Sequence, residues 1–397
     1  MTARILSSPL LPPAASLWPA FGLGLAVAVG NGLARFAYAL VLPAMREDLS
    51  WTYTQAGWLN TANALGYVAG AVTGYLLLRR LRPAQLFAAG LWLTFAGLLA
   101  TGLHEGQAWL TAMRIAAGIG AAWTFSCGGA LIAARYRETP QLMGTATGLF
   151  FAGAGIGIAA AGLAVNPLLA ATGPGGWPQA WLALGVLAVA FSIWPLLEAR
   201  RGRGGATDSA APEGLALAGL GAPLASYCLF AAGYIVYMTF ILAWLREAGF
   251  SWLAATGVWL ALAVAVGVSP FVWRRALEGW APRRVLAAAC TACLVGTAIP
   301  LVDAGTPALL ASAIVFGLGV FIAPSAVALI VRRAMPPAQI AKGMTFFTVL
   351  FAVGQAIGPV AAGLIGDRGD LDDALVFGAV LLALAAALPF AGARRAA

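Results

Sequence analysis

The chain has 397 residues, of which 61% are hydrophobic and only 9% are charged, whereas soluble domains carry about 25% charged residues. So few charges could not cover the surface of the two or three soluble domains that this length would allow. The formal net charge of +9 is spread over short loops between apolar runs, which favours membrane topology over nucleic-acid binding. The composition therefore predicts an all-α membrane protein whose partner is the lipid bilayer, with no nucleic acid.

Apolar runs of about 20 residues, the length that crosses a bilayer as a helix, recur along the whole chain. The first run is too long for a signal peptide and is expected to remain as a helix. In chain order the runs predict twelve transmembrane helices, at residues 17–44, 54–78, 84–103, 107–134, 142–171, 179–198, 215–245, 251–273, 284–303, 306–332, 338–365 and 373–393. Residues 200–214, rich in Gly, Ala and Arg, predict a cytoplasmic linker between two halves, 1–199 and 215–397.

The basic residues test this topology. With a cytoplasmic N-terminus, eighteen of the 23 basic residues fall in inner loops or tails, three (Arg46, Arg246 and Arg368) fall in outer loops, and two lie inside helices. This asymmetry is the one that the positive-inside rule requires. Arginine also replaces lysine at all but one position, Lys342, which is typical of GC-rich bacterial genomes. We therefore expect a monomer in the bacterial inner membrane with both termini in the cytoplasm.

The two halves repeat each other at an offset of about 200 residues. Residues 153–163 and 354–364 are identical at seven of eleven positions, Arg46-Glu47 recurs as Arg246-Glu247, and Gly118-Ile-Gly120 recurs as Gly317-Leu-Gly319. Because each copy holds six helices, both copies enter the membrane in the same orientation. Such parallel repeats predict a binding site between the halves, near the middle of the membrane.

The two basic residues inside helices are Arg35 and Arg114, and no acidic residue lies in the middle of a predicted span. A charge in the membrane costs roughly 2.5–3.5 kcal/mol on insertion scales and usually has a function. In an α-helix, Asn31, Arg35 and Tyr38 would share one face. Arg114 could contact a ligand directly or could have a structural or coupling role, and both alternatives remain open.

Amides and phenols accompany these arginines at helical spacing. The second span supplies Asn60, Asn63 and Tyr67, and the seventh supplies Tyr227, Tyr234 and Tyr237. For these last three, packing is favoured over ligand contact, because aromatic residues fill helix interfaces. A cavity lined by guanidinium, amide and phenol groups would suit an anion with a planar carboxylate, which arginine binds through two parallel hydrogen bonds.

The glycines and cysteines indicate packing. Glycines at G-x-x-x-G spacing allow helix backbones to approach closely, and no metal or cofactor is predicted, because Cys290 and Cys293 have no further ligand pair nearby. The candidate packing residues are Gly66, Gly70, Gly118, Gly120, Gly144, Gly148, Gly153, Gly157, Gly358 and Pro359.

Four motifs resemble the major facilitator superfamily or one of its branches, and the resemblance covers essentially the whole chain. Residues 114–120 resemble its R-x-x-x-G-x-G signature, and residues 74–82 resemble its G-x-x-x-D-R-x-G-R loop, with Leu78 and Leu81 in place of the Asp and the second Gly. Residues 31–45 resemble the first helix of the poorly characterised YbfB/YjiJ-like branch. Residues 153–162 resemble the antiporter glycine motif, with Ile158 in place of its proline.

The resemblance implies two parallel six-helix halves, a central cavity bordered by the first and fourth helices, and a gating loop that contains Gly74, Arg79 and Arg82. It implies a secondary transporter that works by alternating access. We expect a small organic anion as the substrate; the alternative is a proton-coupled efflux antiporter for drugs or other apolar or cationic compounds. An intramembrane enzyme is disfavoured, because the spans supply neither His nor a carboxylate for catalysis.

Overall fold

A computed structural model describes residues 16–201, 219–336 and 339–391, and these ranges contain helices but no strands. The long helices are α1 Trp18–Asp48, α2 Tyr53–Leu77, α3 Pro83–Thr101, α4 Gln107–Arg135, α5 Pro140–Thr172, α6 Trp177–Arg201, α7 Gly221–Glu247, α8 Trp252–Val272, α9 Pro282–Val302, α10 Thr306–Ala334, α11 Ile340–Arg368 and α12 Leu371–Ala387. The expected linker at 200–214 lies outside the described residues except for Arg200 and Arg201, which end α6.

Within the described ranges, all of these helices except α2 are long and apolar enough to span a membrane, which makes eleven. Helix α2 falls short in hydropathy because it carries amides and hydroxyls, Asn60 and Asn63 among them. Its 25 residues extend about 37 Å at 1.5 Å per residue, and it contains no charged side chain. The helical membrane fold that the sequence predicts is therefore confirmed, with polar groups concentrated on α2.

The helices form two groups, α1–α6 and α7–α12, and three helix pairs make the main contacts between them. Helix α2 packs against α11, α5 packs against α8, and the end of α1 packs against α7. Moving six helices along the chain converts the first of these contacts into the second. The contact pattern thus follows the internal repeat, with equivalent helices related across an axis between the halves.

The ion pair and the carboxylate contacts between the halves lie at one end of the bundle, which we call the Asp367 end. Here Arg46 lies 3.6 Å from Glu247, and the Asp367 carboxylate accepts hydrogen bonds from the backbone N–H groups of Tyr53 at 2.6 Å and Thr54 at 2.9 Å. We call the opposite end, at the loop between α2 and α3, the Arg79 end. These contacts hold the two halves together at the Asp367 end.

Glycines allow the close backbone contacts in the first half. A Cβ added at Gly118 would lie 2.2 Å from the Asn63 carbonyl oxygen, and one at Gly66 would lie 2.2 Å from the Ile115 carbonyl oxygen, so α2 and α4 meet backbone to backbone. Gly70 and Gly120 make similarly close approaches to Ile119 and Gly90.

The glycine motif of α5 packs against α1. A Cβ on Gly153 would lie 1.9 Å from the Gly24 carbonyl oxygen, and one on Gly157 would lie 2.3 Å from the Ala28 carbonyl oxygen. Gly144, one of the expected packing glycines of α5, instead has no atom within 4 Å of the equivalent position. In the second half, a Cβ on Gly358 of α11 would lie 2.4 Å from the Ala232 carbonyl oxygen of α7.

The remaining packing candidate, Pro359, lies at the contact between the halves. A Cβ on Gly57 of α2 would lie 2.4 Å from the Pro359 carbonyl oxygen of α11. Since α2 and α11 belong to different halves, this close approach contributes to the junction at the Asp367 end.

Candidate functional site

Helix α1 changes its winding in the middle, because residues Ala28–Phe36 form a π-helix between two α-helical segments. The Ala37 N–H donates to the carbonyl oxygen of Gly32, five residues back, at 3.0 Å. Local π-helical winding is frequent at functional sites, and it alters the angle between successive side chains. The α-helical spacing that predicted a common face for Asn31, Arg35 and Tyr38 therefore does not apply here.

Arg114 lies entirely inside the first half, with no exposed surface. Its Nη1 donates to the carbonyl oxygen of Ala34 at 2.5 Å. The guanidinium carbon lies 5.3 Å from the ring centroid of Tyr38 and 5.1 Å from that of Trp181, within the range of cation–π attraction. Arg114 therefore binds α1 to α4 and α6, and these contacts favour the structural alternative for this residue.

Tyr38 belongs to the surroundings of Arg114. Its ring stacks on Trp181 with centroids 6.2 Å apart, and its hydroxyl donates to the Ala56 carbonyl oxygen at 2.7 Å. Of the three residues expected on one face of α1, Tyr38 thus packs into the first half, in a different environment from that of Arg35.

Arg35 lies between the two halves and is only 6% exposed. Its Nη2 donates to Oε1 of Gln355 on α11, and Nε2 of Gln355 donates to the hydroxyl of Tyr234 on α7. The Arg35 guanidinium also lies 5.2 Å from the ring centroid of Tyr67 on α2. Arg35 thus connects α1 with three other helices, α2, α7 and α11. We call Arg35, Tyr67, Tyr234 and Gln355 the Arg35 cluster.

The Arg35 cluster contains no negative charge. Among the described residues no carboxylate forms an ion pair with Arg35, and its buried Nε has no hydrogen-bond partner. The hydroxyl of Tyr67 and the side-chain amide of Asn31 also form no hydrogen bond within the described ranges. The cluster therefore offers hydrogen-bond donors and positive charge, which can bind the oxygens of an anion.

In the second half, a group of aromatic rings lies next to the Arg35 cluster. Tyr227, Phe230 and Tyr234 of α7 and Phe351 of α11 form a group of nearly parallel rings, with centroids 5.1 Å apart for Phe230 and Tyr234 and 4.7 Å apart for Tyr227 and Phe351. Tyr234 and Phe351 lie 5.8 Å apart with 18° between their planes. We call these four residues the aromatic wall.

The first half carries a smaller group of rings beside Arg35. Phe125 lies 6.5 Å from Tyr67 and 5.7 Å from Phe151 between centroids. All three rings are half-buried. Aromatic surface therefore adjoins Arg35 from both halves.

The other predicted site residues lie outside the Arg35 cluster. The Asn60 amide donates to the Thr239 hydroxyl at 2.5 Å and so joins the halves, whereas the Asn63 amide donates to the backbone oxygen of Arg114 at 3.1 Å. Tyr237 shares a 2.8 Å hydrogen bond with Ser312 and stacks on Phe316 at 4.1 Å. Tyr237 thus packs within the second half, which fits the packing alternative.

The expected gating loop lies at the Arg79 end. A Cβ on Gly74 would lie 3.0 Å from the Trp123 ring, and the Arg82 N–H donates to Oε1 of Gln85 at 3.0 Å where α3 begins. Arg79 and Arg82 are exposed, and neither forms an ion pair with a described residue. Leu78, which replaces the acid of the family motif, supplies no partner for them.

Sequence reasoning missed Gln355, Phe351 and the π-helical segment. Gln355 is the one amide side chain of α11, it lies in the middle of the helix, and it is only 1% exposed. A search for polar residues in every span, like the one that found Asn60 and Asn63, would have identified Gln355. Phe351 has no such signal, because phenylalanine is common in membrane helices.

Comparisons with known proteins agree with this architecture. A family model described as "Uncharacterised MFS-type transporter YbfB" matches residues 25–389. No curated protein matches the chain.

Solved structures show the same fold at low sequence identity. A bacterial homologue of the human lysosomal transporter Spinster, in an inward-facing and unoccupied conformation, has 17% identity and a TM-score of 0.71, covering 97% of this chain and 98% of that one. The nucleoside transporter NupG has 12% identity and a TM-score of 0.70, covering 94% and 98%. The human organic anion transporter MFSD10 has 15% identity and a TM-score of 0.67, covering 96% and 100%.

Proposed function

This chain belongs to the YbfB family of major-facilitator-type transporters, and we propose that it moves small organic anions across the membrane by alternating access. Membership of this family makes the chain a transporter rather than an enzyme. The choice of an organic anion depends on the charge of the Arg35 cluster and is supported by the hydrogen-bond donors around it.

One observation carries the proposal: Arg35 is a buried cation between the two halves with no carboxylate partner among the described residues. A buried charge without a partner is costly, and it is retained where it binds something. Gln355 accepts one hydrogen bond from Arg35 but leaves the charge uncompensated. A bound carboxylate would neutralise the guanidinium and could accept two of its hydrogen bonds.

The test is transport by purified protein in proteoliposomes loaded with a panel of carboxylates. We expect counterflow of a labelled carboxylate, and we expect Arg35→Gln to abolish it, because glutamine keeps hydrogen-bonding capacity but removes the charge. Arg332→Gln is the matched control, since Arg332 is exposed at the end of α10 and should leave transport unchanged.

The alternative function, proton-coupled efflux of apolar or cationic compounds, gives a different result. In that case Arg35→Gln would leave the transport of such compounds intact or increase it, because removing a positive charge favours a cation. Carboxylate transport that is unchanged in Arg35→Gln would overturn the anion proposal.

The location and orientation belong to the same proposal. We propose a monomer in a bacterial inner membrane with both termini in the cytoplasm, so that the Arg79 end faces the cytoplasm. Support comes from the uneven distribution of basic residues over the loops. Labelling of single cysteines placed at Arg79 and at Arg368 in sealed cells would test the orientation, since only the latter should react with an impermeant reagent.

A further inference from the structure

The aromatic wall is joined directly to the Arg35 cluster. Tyr234 belongs to both, because its hydroxyl accepts the hydrogen bond from Gln355 while its ring lies 5.8 Å from Phe351 and 5.1 Å from Phe230 between centroids. The interplanar angles of these two contacts are 18° and 16°. The group of nearly parallel rings therefore begins at the tyrosine that is hydrogen-bonded, through Gln355, to the positively charged Arg35.

We propose that the ligand of this site is a carboxylate carried on a planar aromatic ring. The carboxylate would bind Arg35 in place of Gln355, and the ring would lie against the aromatic wall. This inference rests on the proposed anion transport and adds the chemical class of the anion.

Two features point to a ring rather than to an aliphatic chain. Phe351 is half-buried, so part of its ring surface is not covered by the protein. Its neighbours already lie in parallel planes, an arrangement that a further flat ring can extend by offset stacking. An aliphatic side chain would gain only from the area that it buries.

The hydrogen bonds of the cluster fit the other end of such a ligand. If a carboxylate takes the place of the Gln355 oxygen on Arg35, the unpartnered Nε of Arg35 becomes available for the second of two parallel hydrogen bonds. The hydroxyl of Tyr67, which has no partner in the described ranges, is a third donor. Three donors and one uncompensated positive charge suit a single carboxylate.

The test is binding of matched ligand pairs to the purified full-length protein, measured by calorimetry. Benzoate is compared with cyclohexanecarboxylate, and phenylacetate with cyclohexylacetate, while benzyl alcohol serves as the uncharged ring. The saturated rings are similar in size and no less apolar, so burial alone does not favour the aromatic member. We expect each aromatic acid to bind about two- to tenfold more tightly than its saturated partner, and benzyl alcohol to bind no better than background.

Substitution of Phe351 tests whether the preference for aromatic acids arises at the aromatic wall. Phe351→Leu keeps an apolar side chain but removes the ring, and we expect it to abolish the preference for the aromatic acid while Arg35-dependent binding of both acids persists. Phe346→Leu is the matched control on the same helix, because Phe346 is 36% exposed and makes no ring contact among the described residues.

The outcomes separate this inference from the proposed function. Equal, Arg35-dependent affinities for the members of each pair would overturn the aromatic inference and leave anion transport standing. Absence of binding by all four acids would overturn the aromatic inference alone, whereas carboxylate binding that survives Arg35→Gln would overturn both. The comparison of ligand pairs on the unmodified chain decides the question even if Phe351→Leu does not fold.

Discussion

The two buried arginines, Arg35 and Arg114, have different surroundings. Arg114 donates to a backbone carbonyl, lies against two aromatic rings of its own half and leaves Nε and Nη2 unpartnered, whereas Arg35 has one neutral amide as its acceptor, one tyrosine ring beside it and an unpartnered Nε. Neither guanidinium has a carboxylate partner among the described residues, but the contacts of Arg114 lie within one half, whereas those of Arg35 join both halves, where the substrate of a two-half transporter binds. Their effects on stability should therefore differ.

We expect Arg114→Gln to lower the free energy of unfolding by about 1–3 kcal/mol more than Arg35→Gln does. Loss of Arg114 removes a charge-assisted hydrogen bond and two cation–π contacts, while loss of Arg35 removes one hydrogen bond and one cation–π contact. Unfolding of both variants in detergent, followed by tryptophan fluorescence, measures the difference. Equal losses for the two variants would contradict the structural role of Arg114.

Gln355 should control the charge of the proposed site. Gln355→Glu places a carboxylate on Arg35, and we expect affinity for a carboxylate ligand to fall at least about tenfold, which corresponds to 1.4 kcal/mol, because the internal ion pair competes with the ligand. Gln355→Leu removes the competing oxygen without adding charge, and should bind at least as well as the unmodified chain. Calorimetry with benzoate measures both. If both substitutions weakened binding to a similar extent, the shape of the Gln355 side chain would matter, and not the charge at this position.

At the scale of elements, α5 packs backbone to backbone against α1 beside the start of the π-helical segment. Gly153 and Gly157 of α5 touch the backbone of Gly24 and Ala28, at the start of the segment that carries Arg35. A side chain added at Gly153 or Gly157 would meet a backbone carbonyl oxygen of α1. Such an oxygen cannot move aside as the end of a flexible side chain can. The glycine motif therefore acts on the site through backbone contact.

Gly153→Ala should accordingly destabilise the fold by about 1–3 kcal/mol through overpacking. Gly144→Ala, in the same helix, meets no atom within 4 Å, and should be neutral or slightly stabilising because alanine favours the helix. Thermal unfolding of the two variants tests this. If Gly144→Ala were as destabilising as Gly153→Ala, backbone contact with α1 would not explain the effect.

At the scale of the whole molecule, the sequence predicted the helices better than it predicted the site. The length of the apolar runs and the loop arginines determine the helices, since both reflect the solvent properties of the bilayer. Arg35 was found because charges are rare in membranes. Its partner Gln355 lies 320 residues away, and the π-helical winding of Ala28–Phe36 depends on packing, so neither follows from local spacing. Tyr38 was misplaced for that reason.

The two halves are held together at the Asp367 end by a helix cap that crosses between them. Asp367, near the end of α11, accepts hydrogen bonds from the N–H groups of Tyr53 and Thr54 and from the Thr54 hydroxyl, the last at 2.5 Å. A carboxylate is favourable at the N-terminus of a helix, where the N–H groups lack partners. Opening of the bundle at this end requires that these bonds break.

We therefore expect Asp367→Ala to open this end more often. Loss of the cap, about 0.5–2 kcal/mol, should speed hydrogen–deuterium exchange several-fold at the start of α2. It should also speed exchange around Arg46 and Glu247, because their ion pair lies at the same end. Asp370→Ala is the matched control, since Asp370 caps α12 within its own half, accepting from the Asp373 N–H at 3.0 Å. Its effect should stay in the first turn of α12. Exchange that rises only at Tyr53 and Thr54 in Asp367→Ala would show that the cap stabilises α2 alone and does not hold the halves together.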